Sequence, residues 1–375
     1  MTLRLKTLSD IATLRLENQH LIGPRFDEPV EAVRWLGAVQ AQDYQGAKWA
    51  LAQRTSSIDN AALDRSFDSG EILRTHVMRP TWHFVTPQDI RWLVHLTAPR
   101  VNTTMRSYDM RLELGDSLLK KSRTILARAL KGMRYLTRKE ITSVFADSGI
   151  AATGQRLAHI LMHAELDALV TSGPLRGKQF TYALLEERVP PAGDLGRDES
   201  LARLAYRYFE SHGPATLHDF GWWSGLTMGD VRAAVEMTKS QLVQQTMNGV
   251  TYLFAQPDRQ RAKLKKPTVH LLSNYDEHLV AYRDHNPSFN PALLRPEGVQ
   301  REALVAHIVT LNGFVVGGWR RTVTADRVVI ETSLLKDLTL AETKALERSA
   351  SDYGRFMGLP VTIGRTGSLL DSRSG

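Results

Sequence analysis

Residues 169–185 read LVTSGPLRGKQFTYALL, two short apolar runs separated by a turn of glycine, proline and basic residues. This pattern predicts a β-hairpin. Helical patterns precede it at 123–131 and 155–169, and between them Thr137-Arg138-Lys139-Glu140 has the form of a helix capping box. Helices followed by a hairpin are the order of elements in a winged helix, so this stretch predicts that fold for its part of the chain.

The same order is predicted on both sides of this stretch. Upstream, helical patterns occur near 29–39, 60–67 and 88–97, and the alternating stretch 72–85 carries Pro80, which indicates an edge strand or a bulged turn. Downstream, a helix over 200–211, two Thr-capped helix starts and a hairpin with Asn248-Gly249 at its tip follow the break VPPAGD. We therefore predict three tandem winged-helix domains, over 1–118, 119–190 and 191–258.

The last third of the sequence has a different character. The stretch VTLNGFVVGGWRRTVTADRVVIETSL, residues 309–334, predicts an antiparallel sheet with turns at Asn312-Gly313 and Ala325-Asp326. One helix over 338–357 follows it. We expect a small β-barrel-like or sandwich domain over 259–375, which makes the fold class α+β. A basic cluster that includes Lys263, Lys265 and Lys266 leads into this domain, and it suits either DNA phosphates or a solvated linker.

Composition limits the possible functions. The chain has 375 residues, with 48 Lys and Arg against 40 Asp and Glu and a pI of about 9.6, which moderately favours a polyanionic partner. The absence of cysteine excludes disulfides, zinc–thiolate sites and thiol catalysis. No apolar run reaches the roughly 18 residues of a membrane span, and the N-terminus lacks a signal-peptide pattern. We expect a cytoplasmic, nucleoid-associated protein that does not bind membranes.

A second short stretch raises the question of chemistry. GAVQAQDYQGAKWA, residues 37–50, places Gln40 and Gln42 two residues apart where an apolar helix ends. Side chains two residues apart lie on the same side of an extended segment but on different sides of a helix. The two amides therefore converge only if the helix ends by about Ala38 to Gln40. By itself so short a pattern is more typical of a polar helix terminus with capping amides.

Five stretches connect this chain to a known family. They are AVQAQDY, THVMRPTWHFV, GKQFTYALL, GPATLHDFGWWSGL and NYDEHLVAYRD, and they extend over nearly the whole chain. In them the sequence resembles the winged-helix DNA glycosylases of the AlkZ type, whose more distant relatives are of the YcaQ type. The resemblance implies three winged helices and a C-terminal β-barrel wrapped around duplex DNA. It also implies excision of alkylated bases, including bulky N7-alkylguanines, and unhooking of interstrand crosslinks.

The resemblance also implies the site. The family signature is glutamine–apolar–glutamine, or glutamine–apolar–aspartate in the YcaQ branch, and here it is Gln40-Ala41-Gln42. Alkylation at N7 or N3 gives a purine a positive charge, so that the base departs as a neutral molecule and no strong general acid is needed. The sugar then becomes oxocarbenium-like. An amide oxygen can orient a water toward it, and we assign Gln42 to this water and Gln40 to the sugar-phosphate or an intermediate.

Further residues are candidates with a structural alternative for each. Asp43 could participate directly, although in an extended segment it faces away from Gln42, and Asp276 could line the cleft or hold a structural hydrogen bond. Trp222-Trp223 resembles core packing more than a base-stacking platform, and no aromatic cluster other than Tyr44 and Trp49 occurs near Gln40. Seven basic positions on strands, wings or linkers could contact DNA phosphates or simply be surface residues. They are Arg79, His83, Arg176, Lys178, Lys263, Lys265 and Lys266.

Other chemistries have little support. His159 and His163 have the i, i+4 spacing of zinc ligands, but no third ligand is evident, so helix-surface histidines are the better interpretation. We expect neither a metal nor a cofactor. The function predicted is a monofunctional, monomeric glycosylase acting on cationic alkylated purines in double-stranded DNA. The alternatives are a non-catalytic winged-helix regulator and a glycosylase-derived protein that shields damage without cutting.

Overall fold

The computed structural model describes residues 4–191, 193, 195–256, 264, 266–290 and 307–365. Helices occur together with sheets whose strands pair almost entirely antiparallel, which confirms the α+β class. None of the helices within these ranges is long and apolar enough to cross a membrane.

The first part of the chain builds a three-stranded antiparallel sheet in the order β1-β3-β2. The stretch 72–85 is a hairpin of two strands, because the chain reverses at Met78, whose φ is +63°. Pro80 lies beside the bulge of this hairpin, where its missing N–H costs no ladder bond. The elements are α1 (Leu8–Asn18), α2 (Pro29–Leu36), β1 (Val39–Gln40), α3 (Tyr44–Ala52), α4 (Asn60–Ser69), β2 (Leu73–Val77), β3 (Arg79–Val85) and α5 (Ile90–Arg111).

The helix predicted over 88–97 is longer and starts later than expected. It is α5, and it runs through Pro99. The Thr86 hydroxyl donates to Asp89 Oδ2 instead of capping the helix, which delays the first turn to Ile90.

The second part contains the predicted hairpin and capping box. Thr137 caps its helix with Glu140, and strands β5 and β6 pair antiparallel as 169–185 predicted. Most of its buried apolar side chains form a core cluster within residues 114–184, whereas Met162, Leu166 and Leu185 belong to the cluster that also contains residues of α5. The elements are α6 (Asp116–Leu130), β4 (Leu136–Thr137), α7 (Arg138–Asp147), α8 (Gly154–Leu166), β5 (Val170–Ser172), β6 (Thr181–Leu184) and α9 (Leu185–Arg188).

The third part ends in the predicted two-residue hairpin. Asn248 and Gly249 have φ of +51° and +78°, as a type I′ turn requires. Its buried side chains belong to a cluster that also contains residues of β2, β3 and α5. The first and third parts therefore share a core, and the division of the chain at 118, 190 and 258 stays a prediction. The elements are α10 (Arg197–Ser211), α11 (Leu217–Ser224), α12 (Met228–Thr238), β7 (Leu242–Met247) and β8 (Val250–Ala255).

The predicted C-terminal β-barrel is wrong for the described residues. The strands form an open five-stranded sheet in the order β13-β12-β11-β10-β9, whose edge strands do not pair with each other. The long helix α14 packs on β9 and β13, and Trp319 of the sheet contacts Tyr353 of the helix edge-on. The helix thus buries the face of the sheet that a closed barrel would have buried in its interior. The elements are β9 (Val269–Leu272), α13 (Glu277–Val280), β10 (Ile308–Leu311), β11 (Phe314–Val323), β12 (Val328–Leu334), α14 (Leu340–Met357) and β13 (Val361–Arg365).

Candidate active site

The Gln40-Ala41-Gln42 stretch lies at the edge of the first sheet. Helix α2 ends at Leu36, and Gly37 turns the chain with a φ of +82°. Gln40 then pairs with His83 of β3, and the Ala41 N–H donates to the Trp82 carbonyl at 2.7 Å. The expectation that the helix ends before Gln40 is confirmed: strand β1 is Val39–Gln40, and Gln42 lies in the bend that follows it.

The two amide side chains differ in exposure. Gln42 is exposed, whereas Gln40 is only 6% exposed. The Gln42 Oε1 accepts a hydrogen bond from the Trp82 N–H at 3.4 Å, and the Gln40 Oε1 accepts one from Arg79 Nη2 at 3.4 Å. At this length both bonds are weak. An incoming polar group can therefore replace either bond at small cost, and Gln42 is the one that solvent reaches freely.

Arg79 connects the glutamines to the third part of the chain. Its side chain is half-buried, and its guanidinium lies over the Trp222 ring at 5.5 Å from the centroid. Burial lowers the pKa of Arg79, and the negative charge of Glu277 partly opposes that shift. Arg79 is thus a cation held beside Gln40 by an aromatic ring and a buried acid.

His83 is placed differently from the expectation of a phosphate contact. It is 1% exposed, and its Nδ1 lies 3.0 Å from the Thr81 carbonyl oxygen. Burial, together with the charge of Arg79, lowers the pKa of His83 to about 3, so the ring is neutral at physiological pH. A buried neutral ring favours support of β1 from the neighbouring strand over direct contact with DNA.

Glu277 is the residue near the glutamines that the sequence pattern did not indicate. Its side chain is 1% exposed, and its Oε1 accepts a hydrogen bond from the Gln40 backbone N–H at 2.8 Å. Its Oε2 accepts another from Trp223 Nε1 at 3.0 Å. One carboxylate from the start of α13 therefore fixes the strand of the glutamines and the helix α11. The stretch NYDEHLVAYRD contained it, but nothing local distinguishes it from its neighbour.

That neighbour, Asp276, does not line a cleft. It is 3% exposed, and Arg54 donates to both of its oxygens, from Nη1 at 2.9 Å and from Nη2 at 2.8 Å. Its Oδ1 also accepts from the His278 N–H and caps α13. These contacts to Arg54 and to the start of α13 favour the structural alternative for Asp276, and a role in the cleft stays untested.

Asp43 also has a structural contact. Its Oδ1 accepts from the Gly46 N–H at 3.0 Å, which makes it the N-cap of α3. The turn into α3 directly after Gln42 depends on this cap, so Asp43 ends the extended segment.

The remaining predicted DNA contacts are dispersed. Arg176 is exposed but paired, donating to Glu140 Oε1 and to the Tyr135 carbonyl, both at 2.6 Å. Lys178 is exposed in the turn between β5 and β6, and Lys266 is exposed before β9. Lys263 and Lys265 lie outside the described residues. These positions are not brought together with Gln40, and their role stays a prediction.

The aromatic residues correct one further expectation. Trp223 is 1% exposed and belongs to the core, as predicted, but Trp222 is 46% exposed beside Arg79. Tyr44 packs against Phe67, Phe84 and Phe180, and Trp49 packs against Tyr353 and Phe356 of α14. Trp222 is therefore connected to Gln40 through Arg79, although it lies 182 positions away along the chain.

The two histidines with the spacing of zinc ligands, His159 and His163, both contact one carboxylate. His159 Nδ1 and His163 Nε2 each lie 3.0 Å from an oxygen of Asp109 on α5. These contacts join α5 to α8. Within the described ranges, no group of three or more His, Cys, Asp or Glu side chains is arranged to hold a metal ion.

Comparison with known proteins identifies the family. The model of the family described as DNA glycosylase AlkZ-like matches residues 33–356. A curated relative from Streptomyces sahachiroi, named interstrand DNA cross-link repair glycosylase, is 24% identical over 383 residues, covering 93% of this chain and 97% of its own length. The solved structure of Streptomyces sahachiroi DNA glycosylase AlkZ superposes with a TM-score of 0.76 at 21% identity, covering 96% of this chain and all of the other. The chain belongs to the AlkZ-like DNA glycosylase family.

Proposed function

We propose that this DNA glycosylase hydrolyses the N-glycosidic bond of cationic alkylated purines, N7-alkylguanine and N3-alkyladenine, in double-stranded DNA. Gln42 positions the water, and Gln40 holds the sugar-phosphate or the intermediate. The enzyme is monofunctional and acts as a monomer. The observation that carries the proposal is the Gln40-Ala41-Gln42 segment at the sheet edge, which presents an exposed Gln42 amide beside a buried Gln40 whose backbone N–H is held by Glu277.

The chemistry fits the groups present. An amide oxygen accepts one proton of a water and points its negative end at the anomeric carbon, but it cannot remove the proton. Such a site accelerates departure only when the leaving group needs no protonation. A cationic purine meets this condition, whereas an undamaged base does not. The selectivity for alkylated purines therefore follows from the weakness of the site.

Crosslink unhooking is the second element of the proposal. The relative from Streptomyces sahachiroi is named an interstrand DNA cross-link repair glycosylase. A crosslink through N7 of two guanines carries the same charged leaving group as a simple N7 adduct. A site that recognises the positive charge and the sugar, and does not enclose the base, can bind both the crosslink and the simple adduct.

The test is base release from a duplex that carries a single N7-methylguanine, followed by alkaline cleavage of the abasic site. Strand breaks are expected with the wild type and a loss of at least about 100-fold in the single-turnover rate with Gln42→Ala, the size typical of removing one preorganised polar group. Gln45→Ala is the matched control, because Gln45 is an exposed glutamine three residues further along, within α3. Tight binding without breaks on any cationic adduct would instead indicate a binding or damage-shielding protein.

A further inference from the structure

Trp222 is an exposed aromatic residue whose surroundings hold it in one orientation. Its indole is 46% exposed, although it lies on the same helix as the fully buried Trp223. The indole N–H donates to the Val280 carbonyl at 3.1 Å, so the polar edge of the ring is satisfied and fixed. A tryptophan that is anchored by its N–H and still open to solvent loses little conformational freedom when another group packs on it.

The position of this ring is determined by a close approach of two backbones. Gly225, directly after α11, has a φ of +70°, and a Cβ on it would lie 2.2 Å from the Met78 carbonyl oxygen. The end of α11 is therefore in direct contact with the turn between β2 and β3. This contact brings Trp222 against Arg79, which in turn reaches Gln40.

We propose that Trp222 is a specificity-determining residue, and that its exposed indole contacts the damaged purine once the lesion is seated at Gln40 and Gln42. This inference rests on the proposed function. Base–aromatic stacking is worth about 5- to 150-fold in binding per base. A positive charge on the base strengthens the contact with an indole. Trp222 thus favours alkylated over undamaged purines before any bond is broken.

Arg79 does not oppose this role. Its guanidinium already lies over the Trp222 ring, and nearly half of the indole surface stays exposed after that contact. The charge of Arg79 is offset by the buried carboxylate of Glu277. The carboxylate therefore reduces the repulsion between Arg79 and an incoming cationic base.

The experiment compares Trp222→Ala, Trp222→Leu and Trp222→Phe in a Gln42→Ala background, so that binding is measured without release. The readout is the dissociation constant for a duplex with one N7-methylguanine and for the same duplex undamaged, with urea denaturation as a check of folding. We expect Ala and Leu to weaken lesion binding about 5- to 150-fold. They should change binding to undamaged DNA less than about twofold, whereas Phe retains most of the affinity. Tyr108→Ala is the matched control, because Tyr108 is 49% exposed and also lies under an arginine, Arg111.

Three outcomes overturn the inference. One is unchanged lesion binding in Trp222→Ala, and another is an equal loss on lesion and undamaged duplex. The third is normal lesion affinity with a reduced single-turnover rate for Trp222→Ala in the otherwise wild-type enzyme, which would assign Trp222 to supporting Arg79 and Gln40. Trp222-dependent lesion binding in an enzyme that releases no base would refute only the proposed function. Base release with Trp222-independent lesion binding would refute only this inference.

Discussion

Replacement of Glu277 is the most direct test of how the glutamine strand is held. The carboxylate accepts from the Gln40 N–H at 2.8 Å and from Trp223 Nε1 at 3.0 Å, and the whole side chain is 1% exposed. A hydrogen bond to a charged group is worth about 1.5–3 kcal/mol, and a buried donor left without a partner costs about 1–3 kcal/mol. With two donors stranded, Glu277→Ala is expected to lower the free energy of unfolding by about 3–6 kcal/mol.

Glu277→Gln separates the two contacts. Its single carbonyl oxygen can serve either the Gln40 N–H or the Trp223 indole N–H, and its NH2 then faces the other donor. We expect a loss of about 1.5–3 kcal/mol, which is one of the two bonds. Trp223→Phe removes the competing donor, so the double variant should be more stable than the sum of the two single losses predicts.

The assays are urea denaturation and single-turnover release of N7-methylguanine for all four proteins. Base release should fall in Glu277→Ala even at saturating enzyme and recover partly in Glu277→Gln, because β1 is only two residues long and pairs with β3 alone. The reasoning is refuted if Glu277→Ala keeps its unfolding free energy within about 1 kcal/mol of the wild type and releases the base at the normal rate.

Four further predictions use other parts of the molecule. Gly225→Ala should destabilise by clearly more than the roughly 1–2 kcal/mol of a left-handed residue, because its Cβ meets a carbonyl oxygen. Gly132 has a φ of +83° and open space around it, so Gly132→Ala should show only the cost of the left-handed conformation in the same urea titration. Burial lowers the pKa of His278 to about 4 from 6.5. Its contribution to stability is therefore full above pH 6.5 and is lost at about 1.4 kcal/mol per pH unit down to the folded pKa, so His278→Gln, which keeps a donor, should flatten that slope. Lys178→Ala should weaken binding to any duplex equally and reduce the slope of log affinity against log salt by about one; sequence- or lesion-dependent loss would contradict this. Excision of N7-methylguanine should be independent of pH between about 6 and about 8.5, since the glutamines do not titrate and the pKa of His83 is about 3; a bell-shaped profile would indicate a general acid or base.

Local signals in the sequence predicted the elements well, because their causes are local. The capping boxes at Thr137 and Thr216 and the turn at Asn248-Gly249 each involve contacts within five residues, and all three are present. The open C-terminal sheet was not predicted, because closure depends on the pairing of β9 with β13, which lie about 90 residues apart, and on the helix that covers the face. An open sheet and a closed barrel show the same alternation of apolar and polar residues along their strands.

The candidate site also depends on contacts between residues that are far apart in the sequence, which local patterns do not predict. Gln40 and Gln42 could be named from the sequence because a family resemblance points to them. Glu277 reaches Gln40 over 237 positions of chain, and its neighbour Asp276 turns instead to Arg54. Asp276 is the N-cap of α13 and Glu277 is its first residue, so their side chains point in different directions, and only the packing of the rest of the molecule decides which one faces the strand. The exposure of Trp222 next to the burial of Trp223 is decided in the same way on a helix.

The charges around the glutamines explain why neutral amides suffice. Arg79 and Glu277 each contact Gln40, and their charges are opposite. Glu277 has no exposed oxygen to offer as a base, because both of its oxygens already accept hydrogen bonds. His83 is neutral and buried, so it cannot donate a proton to a leaving base. In the reaction we propose, the two glutamines hold a water and a sugar, and neither Glu277 nor His83 supplies a proton. The reaction must then be driven by the substrate, and only a purine that already carries a positive charge leaves readily under those conditions.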